Sequence, residues 1–410
     1  VDEITSIYEK GLYKRLVIIG FGKAVSPMVR AINDEMGQWI TEGVAITKYG
    51  HTTEAEKDGR IRIYEAGHPL PDENGLRATE EVIRLLRGFD ERTLAVCLIS
   101  GGGSALLVAP SNGISPAEKV RTTDLLLKAG ADIDELNTVR KHISKVKGGR
   151  LAEFAFPGTI KSLILSDVIS NRLDVIASGP TAPDRTTYSE ALKVIEKYRL
   201  EPEIPPKVID VLKKGVQGLI AETPKEGDPV FQKVYNRIIG SNRDALEAAR
   251  TRAVALGYES EIISTELTGE AREAGRWLAK KAVETKGALG MRSGRKICLL
   301  SGGETTVTVK GPGKGGRNME LALSFAREVA DIPGIILLSA GTDGTDGPTD
   351  AAGAIVDGQT TARARARGID PIDYLNNNDS YHFFNQLEEL FITGPTQTNV
   401  MDIQIMLLNP

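Results

Sequence analysis

Short apolar runs alternate with longer amphipathic stretches along this chain, and the runs break into loops rich in Gly, Ser or Asp. Leu16 to Ile19 leads into Gly20-Phe21-Gly22-Lys23, and Val96 to Ile99 into Ser100-Gly101-Gly102-Gly103-Ser104. Ser162 to Leu165 leads into Ser166-Asp167, and Ile297 to Leu300 into Ser301-Gly302-Gly303-Glu304. Ile335 to Leu338 leads into a loop carrying Asp343, Asp346 and Asp350. Apolar runs of this length, followed by helical stretches, predict buried parallel strands joined by helices, an α/β fold. In such sheets ligands bind beyond the carboxyl ends of the strands, so these loops are the candidate site edges.

A chain of 410 residues is too long for one ordinary core and predicts two domains. Pro202, Pro205, Pro206, Pro224 and Pro229 punctuate residues 201–230, and Tyr235 to Gly240 reads as a fresh strand. The domains are therefore expected at 1–230 and 231–410, with a second loop at Gly287 to Gly294. The echo of Ser100-Gly101-Gly102-Gly103 in Ser301-Gly302-Gly303-Glu304 places similar loops in both halves, compatible with a cleft between two α/β lobes.

Composition narrows the function classes. With 41% hydrophobic residues the chain can bury sizeable cores, and a formal charge of −4 without a basic tract argues against nonspecific nucleic-acid binding. Cys97 and Cys298 both lie in apolar runs and read as small core residues rather than a disulfide or metal pair. No apolar run reaches the roughly 18 residues of a membrane span. Val1 is not an initiator Met, so the chain is expected to begin inside a longer one, with the cytoplasm as the default compartment. Abundant Lys, Arg and Glu with few Cys point towards a thermophilic source.

The loops carry distinct chemistry. Ser100 to Ser104 offers backbone N–H groups unobstructed by Cβ atoms, suited to an anion or to a tight turn. Lys23 adds a point charge beside Gly20-Phe21-Gly22, but the third glycine of a dinucleotide fingerprint would fall at Val25, so that motif is incomplete. Gly311 to Asn318 is not a P-loop, because Gly315 follows Lys314; what remains is a glycine loop ending in Arg317, a fork for carboxylate or phosphate. The Asp-rich loop after Leu338 reads as a site for a divalent cation or a cationic substrate group, or as a polar turn. Five cations between Arg140 and Arg150 read as a solvated helix face or, with Gly148-Gly149, as an anion-facing helix end. The four histidines show no metal-ligand spacing, His68 in its Pro-rich loop reads as structural, and no nucleophile elbow is present.

Taken in order, these motifs are similar to those of a known family. Gly20-Phe21-Gly22-Lys23-Ala24, Gly67-His68-Pro69-Leu70-Pro71-Asp72, Ser100 to Ala105, Asn137 to His142, Lys147-Gly148-Gly149-Arg150-Leu151, Ser166-Asp167-Val168 and Ser178 to Thr181 resemble the N-terminal region of glycerate 2-kinases. Ser301 to Glu304, Gly316 to Glu320 and Gly341 to Gly347 resemble their C-terminal MOFRL domain. The resemblance runs from about residue 16 to 400, and its departure is the N-terminal helical segment that members usually carry.

The resemblance implies two α/β/α lobes, a Rossmann-like N-terminal domain and a MOFRL domain, with the active site in the interdomain cleft. It implies transfer of the ATP γ-phosphate to the 2-hydroxyl of D-glycerate, giving 2-phosphoglycerate and ADP, with Mg²⁺ or another divalent cation. Lys23 and Arg317 are expected to hold substrate and transferring phosphate, which suits a reaction needing positioning and charge compensation. Asp167 is the expected base. Ser100, Gly101, Gly102, Gly103, Ser104, Ser301, Gly302 and Gly303 are expected to cradle anionic groups, Lys147 and Arg150 to meet glycerate or ATP, and Asp343, Asp346 and Glu304 to hold the metal. The expected partners are D-glycerate and ATP, without nucleic acid or membrane, in a homodimer. The competing readings are a nicotinamide-dependent hydroxypyruvate reductase and a non-catalytic sugar-phosphate binder.

Overall fold

The computed structural model describes residues 11–52, 59–289 and 294–410. The chain divides into two compact units, Val1–Ser166 with Asn171–Ile239, and Asp167–Ser170 with Gly240–Pro410.

The N-terminal unit is built on β1 (Arg15–Phe21), β2 (Ile40–Lys48), β3 (Ile61–Ala66), β4 (Thr93–Ile99), β5 (Thr159–Leu165) and β6 (Val234–Gly240). They lie in the order β3-β2-β1-β4-β5-β6, the order of dinucleotide-binding sheets. The first five pair in parallel. β4 is buried at every position, as its unbroken apolar run requires of a central parallel strand. β6 alternates between half-buried and exposed positions. This strand, expected to open the second domain, instead completes the first sheet at its margin, so the chain changes unit at Gly240.

Helices α1 (Val25–Met36) and α2 (Glu73–Leu86) cover this sheet, and the short α3 (Gly103–Leu106) follows β4. A second core joins α4 (Pro116–Lys128), α5 (Ile133–His142), α7 (Tyr188–Lys197) and α8 (Pro206–Val216), with α6 (Arg150–Ala155) just after α5. Ser115, Asp132 and Thr187 start α4, α5 and α7 with capping boxes to Glu118, Glu135 and Glu190. Each such cap stabilises its helix by about 1 kcal/mol.

The C-terminal unit contains α9 (Asn242–Ala255), β7 (Glu259–Leu267), α10 (Ala271–Leu289), β8 (Ile297–Gly303), α11 (Arg317–Glu328) and β9 (Ile335–Gly341). It continues through β10 (Gly353–Asp357), α12 (Thr360–Ala366), α13 (Pro371–Asn376), α14 (Ser380–Leu387), β11 (Leu390–Phe391) and β12 (Asp402–Leu408). The expected loop at Gly287 to Gly294 starts inside α10, and residues 290–293 lie outside the described residues.

The sheet order is β11-β10-β9-β12-β8-β7, and this sheet is mixed rather than parallel. β7 and β8 pair in parallel, but β12 inserts antiparallel between β8 and β9. The start of β12 therefore lies level with the ends of both neighbours: Asp402 registers with Gly303 and with Gly341. The positions Asn318 to Ala326 of α11 are all buried, the polar Asn318, Glu320 and Ser324 included, so this helix lies inside the unit rather than on its surface.

Candidate active site

In the N-terminal sheet the strand order reverses between β1 and β4, which opens a crevice at their carboxyl ends. The two loops there are tied to each other. Lys23 N donates to Gly101 O (2.8 Å), Ser100 N to Phe21 O (3.1 Å) and Ala24 N to Ser100 Oγ (3.0 Å). His51 Nδ1–H donates to Lys23 O at 3.0 Å, which fixes the lysine backbone from a third side. Gly102 has φ +79°, and a Cβ there would stand 2.9 Å from the His68 ring and 3.2 Å from Lys23 Cγ. Glycine thus lets His68 and Lys23 close over this loop. Ser100 is fully buried and its hydroxyl accepts from Ala24, so its role is to latch the loops together.

Ser104 is the polar centre of this edge. Its Oγ accepts from Arg140 Nη2 and from Lys147 Nζ (2.9 Å), and its carbonyl accepts from Lys147 Nζ at 2.8 Å. The Ser104 hydroxyl proton then points to Ser178 Oγ (2.8 Å), which donates to Asn137 Oδ1 (2.8 Å). Burial pushes the Lys147 ammonium well below its ordinary value, with the Arg140 and Lys119 charges adding to the fall. The cation run is therefore not a solvated face: Lys141 and His142 are buried as well. Lys141 pairs with Asp184 at 3.1 Å, and His142 Nε2 with Glu222 at 2.8 Å. Arg150 turns instead to Tyr188 Oη (3.1 Å) and Ala221 O (3.0 Å), where it braces α6 against α7.

The C-terminal unit centres on Arg317, the first residue of α11. Its guanidinium forks onto Asp402, with Nε to Oδ2 at 2.6 Å and Nη2 to Oδ1 at 3.0 Å, while Nη1 meets Glu304 at 2.7 Å. Asp402 is only 2% exposed. Burial opposes the arginine charge, but Asp402 and Glu304 outweigh it and hold the guanidinium pKa above its ordinary value. Sequence reasoning missed Asp402: it opens an unremarkable apolar strand, and only the antiparallel insertion of β12 brings it to this edge.

Asp346 faces the helix rather than a shared metal position. It accepts from the backbone N–H groups of Asn318 (3.0 Å) and Met319 (2.8 Å), replacing the side-chain cap that Gly316 lacks. Burial pushes its carboxyl up to about 7 despite those donors, and the Asp402 charge adds to the rise. Asp343 Oδ1 accepts from Thr345 N and Oγ1 in a local turn. Among the described residues no three His, Cys, Asp or Glu side chains form a metal-holding group. The expected trio of Glu304, Asp343 and Asp346 is thus divided between Arg317, a turn and a helix end. Asp343 and Asp402 do come together: a Cβ on Gly341 would lie 3.4 Å from Asp343 Oδ1 and 3.6 Å from Asp402 Oδ1.

Ser301, Gly302 and Gly303 belong to β8, paired on one side with β12 and on the other with β7. Ser301 Oγ donates to Gln404 Oε1 at 2.9 Å, and a Cβ on Gly302 would lie 2.0 Å from Asn242 Oδ1. This Ser-Gly-Gly segment serves close packing, unlike its echo at Ser100 to Gly103. The glycine loop before Arg317 is likewise packed, since Gly311 N donates to Asn378 Oδ1 and Gly313 N to Asn377 O. Asp167 lies in the short stretch that belongs to the C-terminal unit, where its Oδ2 accepts from Asn399 Nδ2 at 3.4 Å.

These features define a two-unit α/β protein with a lysine at the switch point of its parallel sheet and, in its second unit, a carboxylate-braced arginine at the start of α11. Residues 2–213 match the model of a domain of unknown function (DUF4147), and residues 297–402 match that of the MOFRL family. The chain is 47% identical to the D-glycerate 2-kinase of Thermotoga maritima, over 96% of this chain and 91% of that protein. It is 44% identical to the glycerate 2-kinase of Pyrococcus horikoshii, over 96% and 87%. A putative hydroxypyruvate reductase of Agrobacterium vitis is 42% identical, over 96% and 99%. The crystal structure of the Thermotoga maritima glycerate kinase matches with a TM-score of 0.87 at 46% identity, covering 99% of this chain and 94% of that one. The chain belongs to the glycerate 2-kinase family.

Proposed function

We propose that this protein transfers the γ-phosphoryl group of ATP to the 2-hydroxyl of D-glycerate, releasing 2-phosphoglycerate and ADP. The observation that carries this reading is Arg317, held by Asp402 and Glu304 at a strand end in a protein whose relatives are named for the reaction. A transferring phosphoryl group spreads charge over its oxygens, and fixed cations that need no reorganisation stabilise it. Arg317 supplies such a cation in the C-terminal unit and Lys23 another at the β1–β4 edge. Asp167 is the base that takes the proton from the glycerate hydroxyl. The reductase reading has less support: the dinucleotide fingerprint is incomplete at Val25.

A divalent cation such as Mg²⁺ suits the donor set beside Gly341. Magnesium sites use one or two carboxylates and complete their shell with water and nucleotide phosphates. Asp343 and Asp402 would hold it, and it would supply charge neutralisation at the ATP phosphates. The reading is tested by ADP release: D-glycerate-dependent ADP formation that stops on chelation with EDTA is expected. Absence of a phosphorylated product with any phosphoryl donor would leave a binding protein.

A further inference from the structure

The N-terminal unit also contains a cavity of about 310 Å³ beneath the Pro-rich loop, with Pro69, Leu70, Val108 and Leu136 in its walls. Lys119 and Arg140 line it together with Ser104. Lys119 is 5% exposed, and its Nζ has no hydrogen-bond partner. Arg140 and Lys147 share Ser104 Oγ as acceptor, and among the described residues no carboxylate forms an ion pair with any of these three cations. The acid on the cavity rim, Asp124, is half-exposed and pairs with Lys128 at 2.8 Å. Burial pulls the Lys119 ammonium down to about 7, with the Arg140 charge adding to the fall, and burial lowers Arg140 to about 10. Two buried lysines and a half-buried arginine, one of them without any acceptor and the other two on a neutral oxygen, destabilise a fold unless an anion compensates them.

We propose that this cavity is an oxyanion site, in which Lys119 and Arg140, with Lys147 behind Ser104, receive the carboxylate or phosphoryl group of a small organic anion. Lys119 supplies its unmade hydrogen bonds, Arg140 its planar fork, and the apolar walls exclude water and strengthen both. The three contributors come from α4, α5 and the turn before α6, so the site is built by tertiary packing, and only its Arg140 and Lys147 lie in a run that the sequence marks. The cavity and the Lys119 and Arg140 charges are observed whatever the protein's activity, although Ser104 and Lys147 are also expected to meet glycerate or ATP; the choice of natural occupant, between the acid substrate and a phosphorylated product or nucleotide, rests on the kinase reading.

The test is calorimetric titration of the full chain with D-glycerate, 2-phosphoglycerate, ADP and inorganic phosphate, each against KCl at matched ionic strength. Wild type is expected to bind at least one of the four saturably. Lys119→Met keeps the apolar stem and removes the charge, and it should raise the dissociation constant for that anion by about tenfold or more. Lys119→Gln, a more conservative polar replacement, should do the same, and serves if the Met variant does not fold. Lys128→Met, exposed on the same helix, should bind as wild type does. The probe that loses affinity identifies the occupant. Wild-type dissociation constants in both Lys119 variants, or no binding by wild type, would overturn the proposal. Turnover of D-glycerate with unchanged binding in the variants would remove this site and keep the kinase. Impaired anion binding in the variants without turnover by wild type would do the reverse.

Discussion

The two strand-end regions treat their cations in opposite ways. In the C-terminal unit Arg317 is matched by the buried Asp402 and by Glu304, so its position is fixed before any ligand arrives. In the N-terminal unit, among the described residues, Lys119, Arg140 and Lys147 hydrogen-bond only to neutral oxygens or to none. The first arrangement preorganises a charge. The second leaves a charge deficit that a bound oxyanion would relieve. The sheets differ correspondingly: a parallel sheet brings loops to its edge, whereas the antiparallel β12 brings a carboxylate from the start of a strand to the same level.

The sharpest break in this comparison is Arg317→Met. It should lower kcat by about 10³-fold, the scale of losing a charge that stabilises a phosphoryl transition state. It should also destabilise the unit by about 2–3 kcal/mol, since Asp402 stays buried without its partner while the arginine itself is partly exposed. Adding Asp402→Asn should restore much of the urea midpoint and none of the rate. A variant that unfolds earlier but turns over normally would reduce Arg317 to a brace. Lys23→Met and Asp167→Asn should each slow turnover by about 10²-fold with little change in urea midpoint. Near-normal turnover in either would eliminate the role given to that residue.

Lys119 adds a pH signature. Its folded pKa of about 7 lies below the ordinary lysine value, so between these two the unfolded chain binds more protons. Stability of the anion-free protein should therefore gain a contribution as pH rises from 7 towards 10, and Lys119→Met should lack it. Urea midpoints of both proteins across that range read the difference, and parallel curves would show that Lys119 is not buried as a cation. The smallest effect is expected at Ser301→Ala: about 1 kcal/mol of stability for the bond to Gln404, with KM unchanged. A raised KM there would return Ser301 to the ligand-facing edge.

The local patterns that made the fold legible also explain where reading stopped. β1, β4, β5, β8 and β9 follow from their apolar runs, and Lys23 and Arg317 from the loops after or before regular elements. Similar Ser-Gly-Gly strings nevertheless lie in a loop at residue 100 and inside a strand at residue 301, because ladder partners on both sides extend β8 through them. Asp343 and Asp346 are neighbours in sequence but face a turn and a helix end. Asp402 owes its importance to a bond made across 85 positions and Lys119 to burial beside the charge of Arg140, 21 positions away, and such juxtapositions leave no mark on the local sequence.

The most direct measurement is ³¹P NMR of the product formed from D-glycerate, ATP and Mg²⁺, with NADH oxidation on hydroxypyruvate followed in parallel. The account predicts the resonance of 2-phosphoglycerate, with ADP in equal amount and NADH untouched. NADH consumed with no phosphorylated product would contradict it, and 3-phosphoglycerate would contradict the position of transfer.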